Sequence, residues 1–316
     1  MDSLPAIRLK PIDWITLAFC CWMLLLITIG WSRVIHPLHY FISYLSIVAG
    51  IFLLLWLNEF MPVFARPENC SNGICRRVRP RGMIVVAFLR SYYPVLLYLF
   101  FFESVSATNR IIFPQWLDPM FYRMDIAIFG YLPSMEWGIR YSSIWWKELF
   151  HLAYFCYYLM IIGLPVWFYI RKRQALDELV FVVSLVFYFC YFIFSWLPVI
   201  GGRYFPEAMQ WTQVSDGGIF TALMAYIYIS SPHLGGAFPS SHVAVALVLS
   251  LTALKYFRRL GIALLGITFF LSIATVYCHY HWFTDAVCGL ITGFLGYFIA
   301  LYIFNKLSEE NHDKMA

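Results

Sequence analysis

The stretch DELVFVVSLVFYFCYFIFSWLPV, residues 177–199, contains no charged side chain after Glu178. Its length matches the roughly 20 apolar residues with which an α-helix crosses the hydrocarbon core of a bilayer. Apolar runs of similar length recur along the chain, whose 316 residues are 62% hydrophobic and only 12% charged. Because an average soluble protein is about 25% charged, this composition predicts an all-α integral membrane protein.

Eight segments are apolar and long enough to be interpreted as transmembrane helices. They lie at about 14–32, 38–60, 83–103, 144–170, 177–199, 242–257, 260–278 and 282–305. The first is as long as a full span and is followed by no small-residue cleavage site, which favours a retained helix over a signal peptide. No internal repeat is visible, so a single helical bundle is expected.

The basic residues predict the orientation of this bundle. With eight spans, the basic residues named below fall on one side of the membrane, which the positive-inside rule makes cytoplasmic. These residues are Arg8 and Lys10, the arginines from Arg66 to Arg81, the group Arg171–Arg173, the group Lys255–Arg259, and Lys306 with Lys314. Both termini are then cytoplasmic, and stretches 104–143, 200–241 and 279–281 face a periplasm or an organelle lumen. The short loops favour a bacterial inner membrane.

Several classes of partner and site are disfavoured. The net charge of +5 is modest and its arginines lie between apolar segments, so nucleic acid is not an expected partner. Cys70 and Cys75 have a spacing that fits no zinc site, and no second pair accompanies them. The stretch 104–143 is expected to hold one or two helices along the interface, which either anchor the protein or cover a site.

Three polar clusters lie on the predicted outer face: Gly201–Pro206, Pro239–His242 and His279–Asp285. Ionisable groups at membrane depth are costly and usually functional. His281 and Asp285 are four residues apart at the start of a predicted helix, so they share one face. A carboxylate bonded to one ring nitrogen makes the other nitrogen a better nucleophile.

The other two clusters predict an anion site. Ser240 and Ser241 open a predicted helix, where hydroxyls, unpaired N–H groups and the helix dipole favour negative charge. Arg203 supplies the planar cation that suits a phosphate group, and His242 is placed to protonate a departing oxygen. With His281 as nucleophile, these residues predict a two-step phosphoryl transfer that requires no metal or cofactor.

Pro-Ser-x-His followed some forty residues later by His-x-x-x-Asp resembles the type 2 phosphatidic acid phosphatase and haloperoxidase superfamily. The resemblance covers about residues 83–305 and implies a six-helix phosphatase-like core. It divides the chain into residues 1–82, with two extra helices and an arginine-rich loop, and a catalytic part at 83–316. It also implies that His281 forms a phosphohistidine, that Asp285 orients it, that His242 is the general acid, and that Arg203 and Ser240 bind phosphate.

A looser resemblance is to the branch that contains inositol phosphorylceramide synthases. It is carried by Asp118, Asp125 and Phe129-Gly130, which lead into Glu148 and the tyrosines that follow. Glu148 and Tyr280 are taken as candidate substrate contacts. Anchoring or capping roles for the same side chains remain the alternatives.

The chain departs from the phosphatase pattern at two sites where the pattern has a cationic side chain. The lysine seven residues before the first arginine is replaced by Trp196, and the Ser-Arg pair before the nucleophile by Ala274 and Thr275. Each charge-assisted hydrogen bond is worth roughly 1.5–3 kcal/mol, and a doubly charged monoester loses more than a singly charged diester. The departures favour a diester substrate or a transferase, unless Lys147 or His233 supplies the missing charge.

The sequence thus predicts a membrane enzyme that acts on a phospholipid, polyprenyl phosphate or sphingolipid phosphate, by hydrolysis or by transfer to a lipid alcohol. A transporter that binds lipid phosphate without chemistry is the alternative from another class. It would show broken helices and internal symmetry, and neither is visible. A vanadate-dependent peroxidase shares the motifs but uses the cations that are missing here.

Overall fold

The computed structural model describes residues 9–64, 70–71, 74–75, 81–204, 217–230 and 233–313, and every structural statement below refers to these residues. They form a helical bundle with one pair of two-residue antiparallel strands, β1 (Cys70–Ser71) and β2 (Ile74–Cys75). The helices are α1 (Pro11–Ile29), α2 (Pro37–Phe64), α3 (Arg81–Thr108), α4 (Asp118–Phe129), α5 (Pro133–Arg140), α6 (Ile144–Arg171), α7 (Leu176–Phe194), α8 (Ile219–Ser230), α9 (Ser241–Tyr256), α10 (Arg258–Tyr277) and α11 (Phe283–Asp313).

Seven helices of the described part of the chain are long and apolar enough to cross a membrane, namely α1, α2, α3, α6, α7, α10 and α11. They confirm the prediction of an all-α integral membrane protein. The eighth predicted span corresponds to α9, which has only 16 residues. At 1.5 Å per residue it is about 24 Å long, less than the roughly 30 Å hydrocarbon core. Because α9 is buried along most of its length, its ends need not match the lipid thickness.

Three shorter helices lie outside these spans. Helices α4 and α5 occupy the stretch 104–143, in agreement with the expectation of one or two helices there. Helix α8 was not expected, because the stretch 200–241 was interpreted as a loop. Its 12 residues are apolar but too few to cross a bilayer. It packs against α6 instead.

Helix α9 lies at the centre of the bundle, against α6, α7, α10 and α11. Glycines on α11 permit a close approach: a Cβ atom on Gly289 would lie 2.6 Å from the Ser240 carbonyl oxygen, and one on Gly293 would lie 2.6 Å from that of Ala244. Small residues at such crossings let two backbones approach closely. The first turns of α9 and α11, which carry the two sequence motifs, are therefore held side by side.

The N-terminal helices pack on this bundle through α3 and α7. Thr16 of α1 lies 3.2 Å from the hydroxyl oxygen of Tyr188 on α7. The buried Asp13 carboxylate of α1 receives a hydrogen bond from Arg90 Nη1 of α3 at 2.8 Å and one from the Tyr93 hydroxyl at 2.8 Å. The division of the chain at residue 82 stays a prediction, and the arginine-rich loop lies mostly outside the described residues.

Candidate active site

The segment before α9 is tied directly to the start of α11. Ser240 is the N-cap residue of α9, and its Oγ accepts a hydrogen bond from the Val243 N–H at 3.5 Å. The Ser240 N–H donates to the Asp285 carbonyl oxygen at 3.0 Å. Ser241, the first residue of α9, is buried beside it. The two motifs, which are far apart in sequence, therefore meet at one end of the bundle, here called the histidine end.

The predicted nucleophile and its partner lie together at this end. His281 Nδ1 is 3.6 Å from Asp285 Oδ2, and both side chains are almost completely buried. The same Oδ2 accepts the Trp282 N–H at 2.9 Å, which fixes the carboxylate. The His281 N–H donates to the Thr275 carbonyl oxygen at 2.9 Å, so the end of α10 positions the histidine.

The second histidine faces the first. The ring centroids of His242 and His281 are 5.9 Å apart. On its other side the His242 ring contacts Tyr157 and Tyr154, with centroid separations of 4.5 and 5.0 Å. The two imidazoles are therefore close neighbours, as a transfer with separate nucleophile and acid requires.

Burial determines the charge of the proposed nucleophile. Desolvation lowers the pKa of His281 to about 4, and it outweighs an interaction with the Ala237 backbone that raises this pKa. The imidazole is consequently neutral at pH 7 and retains a nitrogen lone pair. A neutral ring is the form that can attack phosphorus.

Arg203 lies in a 3-10 turn, Gly202–Tyr204, at the same end. Its guanidinium carbon is 4.3 Å from the ring centroid of Tyr228 and 5.6 Å from that of Tyr280. These two tyrosine rings are stacked at 4.3 Å. The cation–π contacts orient the guanidinium at the edge of the histidine cluster. Tyr280 thus supports Arg203, and its predicted contact with the substrate stays a prediction.

The backbone before Arg203 requires a glycine. Gly201 has a φ of +89°, in the region that residues with a Cβ rarely adopt. A Cβ there would also lie 2.4 Å from the Tyr280 carbonyl oxygen. The Gly-Gly pair of the sequence thus allows the Arg203 turn to pack directly against the segment that carries His281.

In the structure Glu148 binds the start of a helix, and its predicted contact with the substrate stays a prediction. Its carboxylate accepts hydrogen bonds from the N–H groups of Gly218, Phe220 and Thr221 at 2.9–3.0 Å, and from the Thr221 hydroxyl at 2.6 Å. Carboxylates stabilise helix starts in this way because the first N–H groups have no intrahelical partner. Glu148 therefore caps α8, the helix that carries Tyr228.

Helix α8 and Tyr228 are site components that the sequence interpretation missed. The Tyr228 hydroxyl lies 2.7 Å from that of Tyr154, which joins α8 to α6 beside His242. The only signal available was a short apolar run with regularly spaced aromatic residues. Such a run does not distinguish a short helix from an interfacial loop.

His233 does not supply the missing positive charge. Its ring stacks on Phe102 with centroids 3.5 Å apart, and its Nδ1 is 2.8 Å from Ser106 Oγ. Burial lowers its pKa to about 3, so the ring is neutral at pH 7. Its Nε2 is buried and has no hydrogen-bond partner among the described residues.

The structure also shows where the residues lie that replace the lysine and arginine of the phosphatase pattern. Ala274 and Thr275 are buried in α10, and the Thr275 hydroxyl donates to the Ser272 carbonyl oxygen at 2.8 Å. Thr275 thus contributes its backbone carbonyl, which positions His281, rather than a cationic side chain. Trp196 lies just after α7 and is half-buried. None of these positions adds a positive charge beside Arg203.

His279, two residues before His281, lies in the turn between α10 and α11 and packs against α5. Its φ of +64° makes the chain turn between α10 and α11. Its Nε2 would lie 3.2 Å from a Cβ on Gly138, so the ring packs against α5. Burial lowers its pKa to about 4.

One comparison identifies the family. A model described as the PAP2 superfamily matches residues 131–299, slightly more than half of the chain. Searches of curated proteins and of solved structures gave no match. The matched region contains α5 to α10, most of α11, and all of the candidate residues Glu148, Arg203, Ser240, Ser241, His242, Tyr280, His281 and Asp285. The chain is therefore a helical membrane protein of the PAP2 superfamily, whose members are phosphatases and phosphotransferases.

Proposed function

We propose that this protein is a lipid-phosphate phosphatase or phosphotransferase that works through a phosphohistidine at His281. The observation that supports this proposal most strongly is the pair of imidazoles with centroids 5.9 Å apart, one of them beside a buried carboxylate. Family membership supports the general activity on lipid phosphates. The substrate, the residue roles and the acceptor are part of the proposal.

In the proposed first step, the neutral His281 ring attacks the phosphorus atom of the bound lipid. His242 takes up a proton when the anionic phosphate group binds beside it. A nitrogen–phosphorus bond then forms, the bond from phosphorus to the lipid oxygen breaks, and His242 donates that proton to the lipid oxygen. Arg203 and the first N–H groups of α9, beside Ser240 and Ser241, stabilise the negative charge of the transition state.

In the second step, a water or lipid hydroxyl attacks the phosphohistidine. His242 now accepts the proton of that hydroxyl, the nitrogen–phosphorus bond breaks, and His281 returns to its neutral form. Asp285 stabilises the positive charge that the His281 ring carries while it is phosphorylated. These residues complete the cycle without a metal or cofactor.

We further propose that the histidine end faces away from the cytoplasm. The basic residues at the opposite end support this orientation through the positive-inside rule. Both termini are then cytoplasmic, and the site opens to the periplasm of a bacterial inner membrane or to an organelle lumen. Its substrate would be a lipid of the surrounding bilayer, handled by a catalytic part at residues 83–316 that follows two helices and a basic loop at 1–82.

A transferase resembling inositol phosphorylceramide synthases is the second candidate. It is favoured by the neutral side chains at Trp196, Ala274 and Thr275, which leave the site poorer in positive charge than the phosphatase pattern. A singly charged phosphodiester requires fewer cations than a monoester does. In this variant the enzyme moves a phospho-headgroup to a lipid alcohol.

The test is an assay of the purified protein in detergent and chelator. Labelled phosphatidate, polyprenyl diphosphate and phosphatidylinositol are supplied, each with and without ceramide or diacylglycerol. Free phosphate and new lipids are followed for the wild type and for His281→Gln. Phosphate release indicates a phosphatase, and a new phospholipid that needs an alcohol indicates a transferase. Binding of these lipids without any turnover would support the non-catalytic transporter instead.

A further inference from the structure

Helix α4 carries two buried carboxylates that are not part of the proposed chemistry. Asp118 and Asp125 are seven positions apart, which places them about two turns apart on one face of the helix. Both side chains are completely buried. A buried carboxylate is stable only when hydrogen bonds compensate for its lost hydration, so its donors show which parts of the chain it holds.

Asp118 holds the segment that leads to Arg203. Its Oδ2 accepts the Ile200 N–H at 2.9 Å, and its Oδ1 accepts the Gly201 N–H at 2.9 Å. The indole Nε1 of Trp282 donates to the same Oδ1 at 2.9 Å. Because the glycine has a φ of +89° and Arg203 follows two residues later, these bonds fix the direction in which the guanidinium enters the site.

Asp125 holds the start of α11. It accepts the Phe283 N–H at 2.7 Å, the Thr284 N–H at 3.0 Å and the Thr284 hydroxyl at 2.6 Å. These are donors of the first turn of α11, which have no intrahelical partner. Asp285 follows at once and lies 3.6 Å from His281. Asp125 therefore fixes the turn that sets the distance between nucleophile and carboxylate.

We propose that Asp118 and Asp125 are positioning residues of the active site, and that α4 sets the spacing of its two halves. Asp118 positions the phosphate-binding Arg203, and Asp125 positions the pair of His281 and Asp285. This inference rests on the proposed function, because it assigns a separate kinetic effect to each carboxylate.

Asparagine is the appropriate substitution because it retains the shape of aspartate. It replaces one acceptor oxygen by an NH2 group, which then faces an N–H donor. Loss of Asp118 should displace Arg203 and weaken phosphate binding. Loss of Asp125 should displace His281 from its reactive position, where an error of about 1 Å costs roughly 100-fold in rate.

The experiment is a single-turnover assay with full-length enzyme in excess over a labelled lipid phosphate that the wild type processes. The maximal rate constant comes from active molecules alone, and the half-saturating concentration is expressed as active enzyme, after the active fraction has been titrated with the labelled lipid. For Asp118→Asn we expect that concentration to rise about tenfold, as the loss of one charge-assisted bond predicts, with little change in rate constant. For Asp125→Asn we expect the rate constant to fall roughly 100-fold with unchanged saturation. The control Glu136→Gln removes an exposed carboxylate of α5 and should change neither value.

Two results would overturn the proposal. In one, both variants lose only active molecules and keep wild-type constants, as a purely structural role predicts. In the other, both constants change equally in both variants.

A second measurement does not need turnover. It is 15N NMR of the histidine side chains, with the His281 signal assigned by its loss in His281→Gln. That signal should shift in Asp125→Asn and not in Glu136→Gln. If the wild type turns over no lipid, the proposed function fails, and an unchanged NMR signal would separately reject the positioning role of Asp125.

Discussion

The two ends of the bundle use carboxylates in different ways. At the end opposite the histidines, here called the basic end, carboxylates pair with cationic side chains. Asp13 is bound by Arg90, and Glu178 receives Lys255 Nζ at 2.7 Å. At the histidine end, Asp118, Asp125 and Glu148 accept mainly backbone N–H groups. Carboxylates join helices through cationic side chains at one end, and they fix helix starts and a turn through backbone N–H groups at the other.

This difference explains how a site for an anion is built from a chain with few charges. Carboxylates that accept backbone N–H groups shape the histidine end. The guanidinium is oriented by tyrosine rings, which add no negative charge. The buried pairing of a carboxylate with Arg or Lys, as in Asp13 with Arg90 and Glu178 with Lys255, is found at the basic end. The comparison predicts that mutations at the histidine end change catalysis and that mutations at the basic end change stability.

The largest effect is expected for His242→Ala. Removal of the general acid should lower the rate with alkyl phosphate lipids by roughly 1000-fold, within the usual range for such groups. The loss should be much smaller for an aryl phosphate, because its leaving oxygen needs no proton. Turnover of both substrates by wild type and variant measures this contrast. Equal losses for the two substrates would contradict the acid role.

A large effect on stability is expected for Arg90→Ala. It leaves Asp13 buried without its guanidinium partner, and breaking a buried pair costs about 3–5 kcal/mol. Unfolding in mixed detergent should show this loss, while the single-turnover rate constant of the molecules that remain folded should be that of the wild type. A changed rate constant would show that the two ends are not independent.

The double variant Asp13→Leu with Arg90→Met is the matched control. Because it removes both charges and leaves none buried alone, it should recover much of the lost stability. The remaining loss, about 1–3 kcal/mol, comes from the Tyr93 hydroxyl, which loses its acceptor on Asp13. A double variant as unstable as Arg90→Ala would mean that packing, rather than the unpaired charge, causes the loss.

Acidification should lower the stability of the fold through the buried histidines of the histidine end. Burial holds the pKa of His279 and that of His281 at about 4, below the value of about 6.5 expected when unfolded. In this pH range the unfolded chain therefore binds more protons than the folded chain does. The free energy of unfolding is unaffected by the two histidines above about pH 6.5, and it decreases as the pH falls towards 4. His279→Asn, which suits the left-handed conformation, should reduce the loss between about pH 6.5 and about pH 4.5 by roughly 2 kcal/mol. An unchanged pH dependence would reject the buried neutral state of His279.

The smallest effect is expected at the exposed pair of the basic end. Lys10 Nζ lies 2.8 Å from Asp177 Oδ2, and both side chains are more than one-third exposed. Asp177→Asn should cost less than about 1 kcal/mol, and less at high salt. A larger loss, or any change in the rate constant, would contradict the proposed separation of the two ends.

Much of the bundle could be predicted from the sequence, because a helix that crosses the lipid hydrocarbon must be apolar over about 20 residues. A span such as residues 177–199 needs only continuous apolar character to be recognised, and seven of the eight predicted spans are long apolar helices in the described part of the chain. The motifs at His242 and His281 were also recognisable, since each lies at the start of an apolar segment. The sequence placed both on one face through charge counting alone, and the structure brings them to one end.

The parts that could not be predicted depend on contacts between distant residues. Asp125 binds the N–H groups of Phe283 and Thr284, and no local pattern indicates such a pairing. Helix α8 is too short to be recognised as a membrane span. The helix start that Glu148 binds could therefore not be predicted either. The neutral state of His233 follows from its burial against Phe102, which a sequence does not reveal.

The central claim is tested most directly by locating the phosphoryl group on the protein. Wild-type enzyme is mixed with a labelled lipid phosphate, quenched at alkaline pH to preserve phosphohistidine, digested, and analysed by mass spectrometry. We expect one phosphorylated peptide, with the group on His281, and none in His281→Gln. Phosphate on another residue, or turnover by the His281→Gln variant at the wild-type rate, would contradict it.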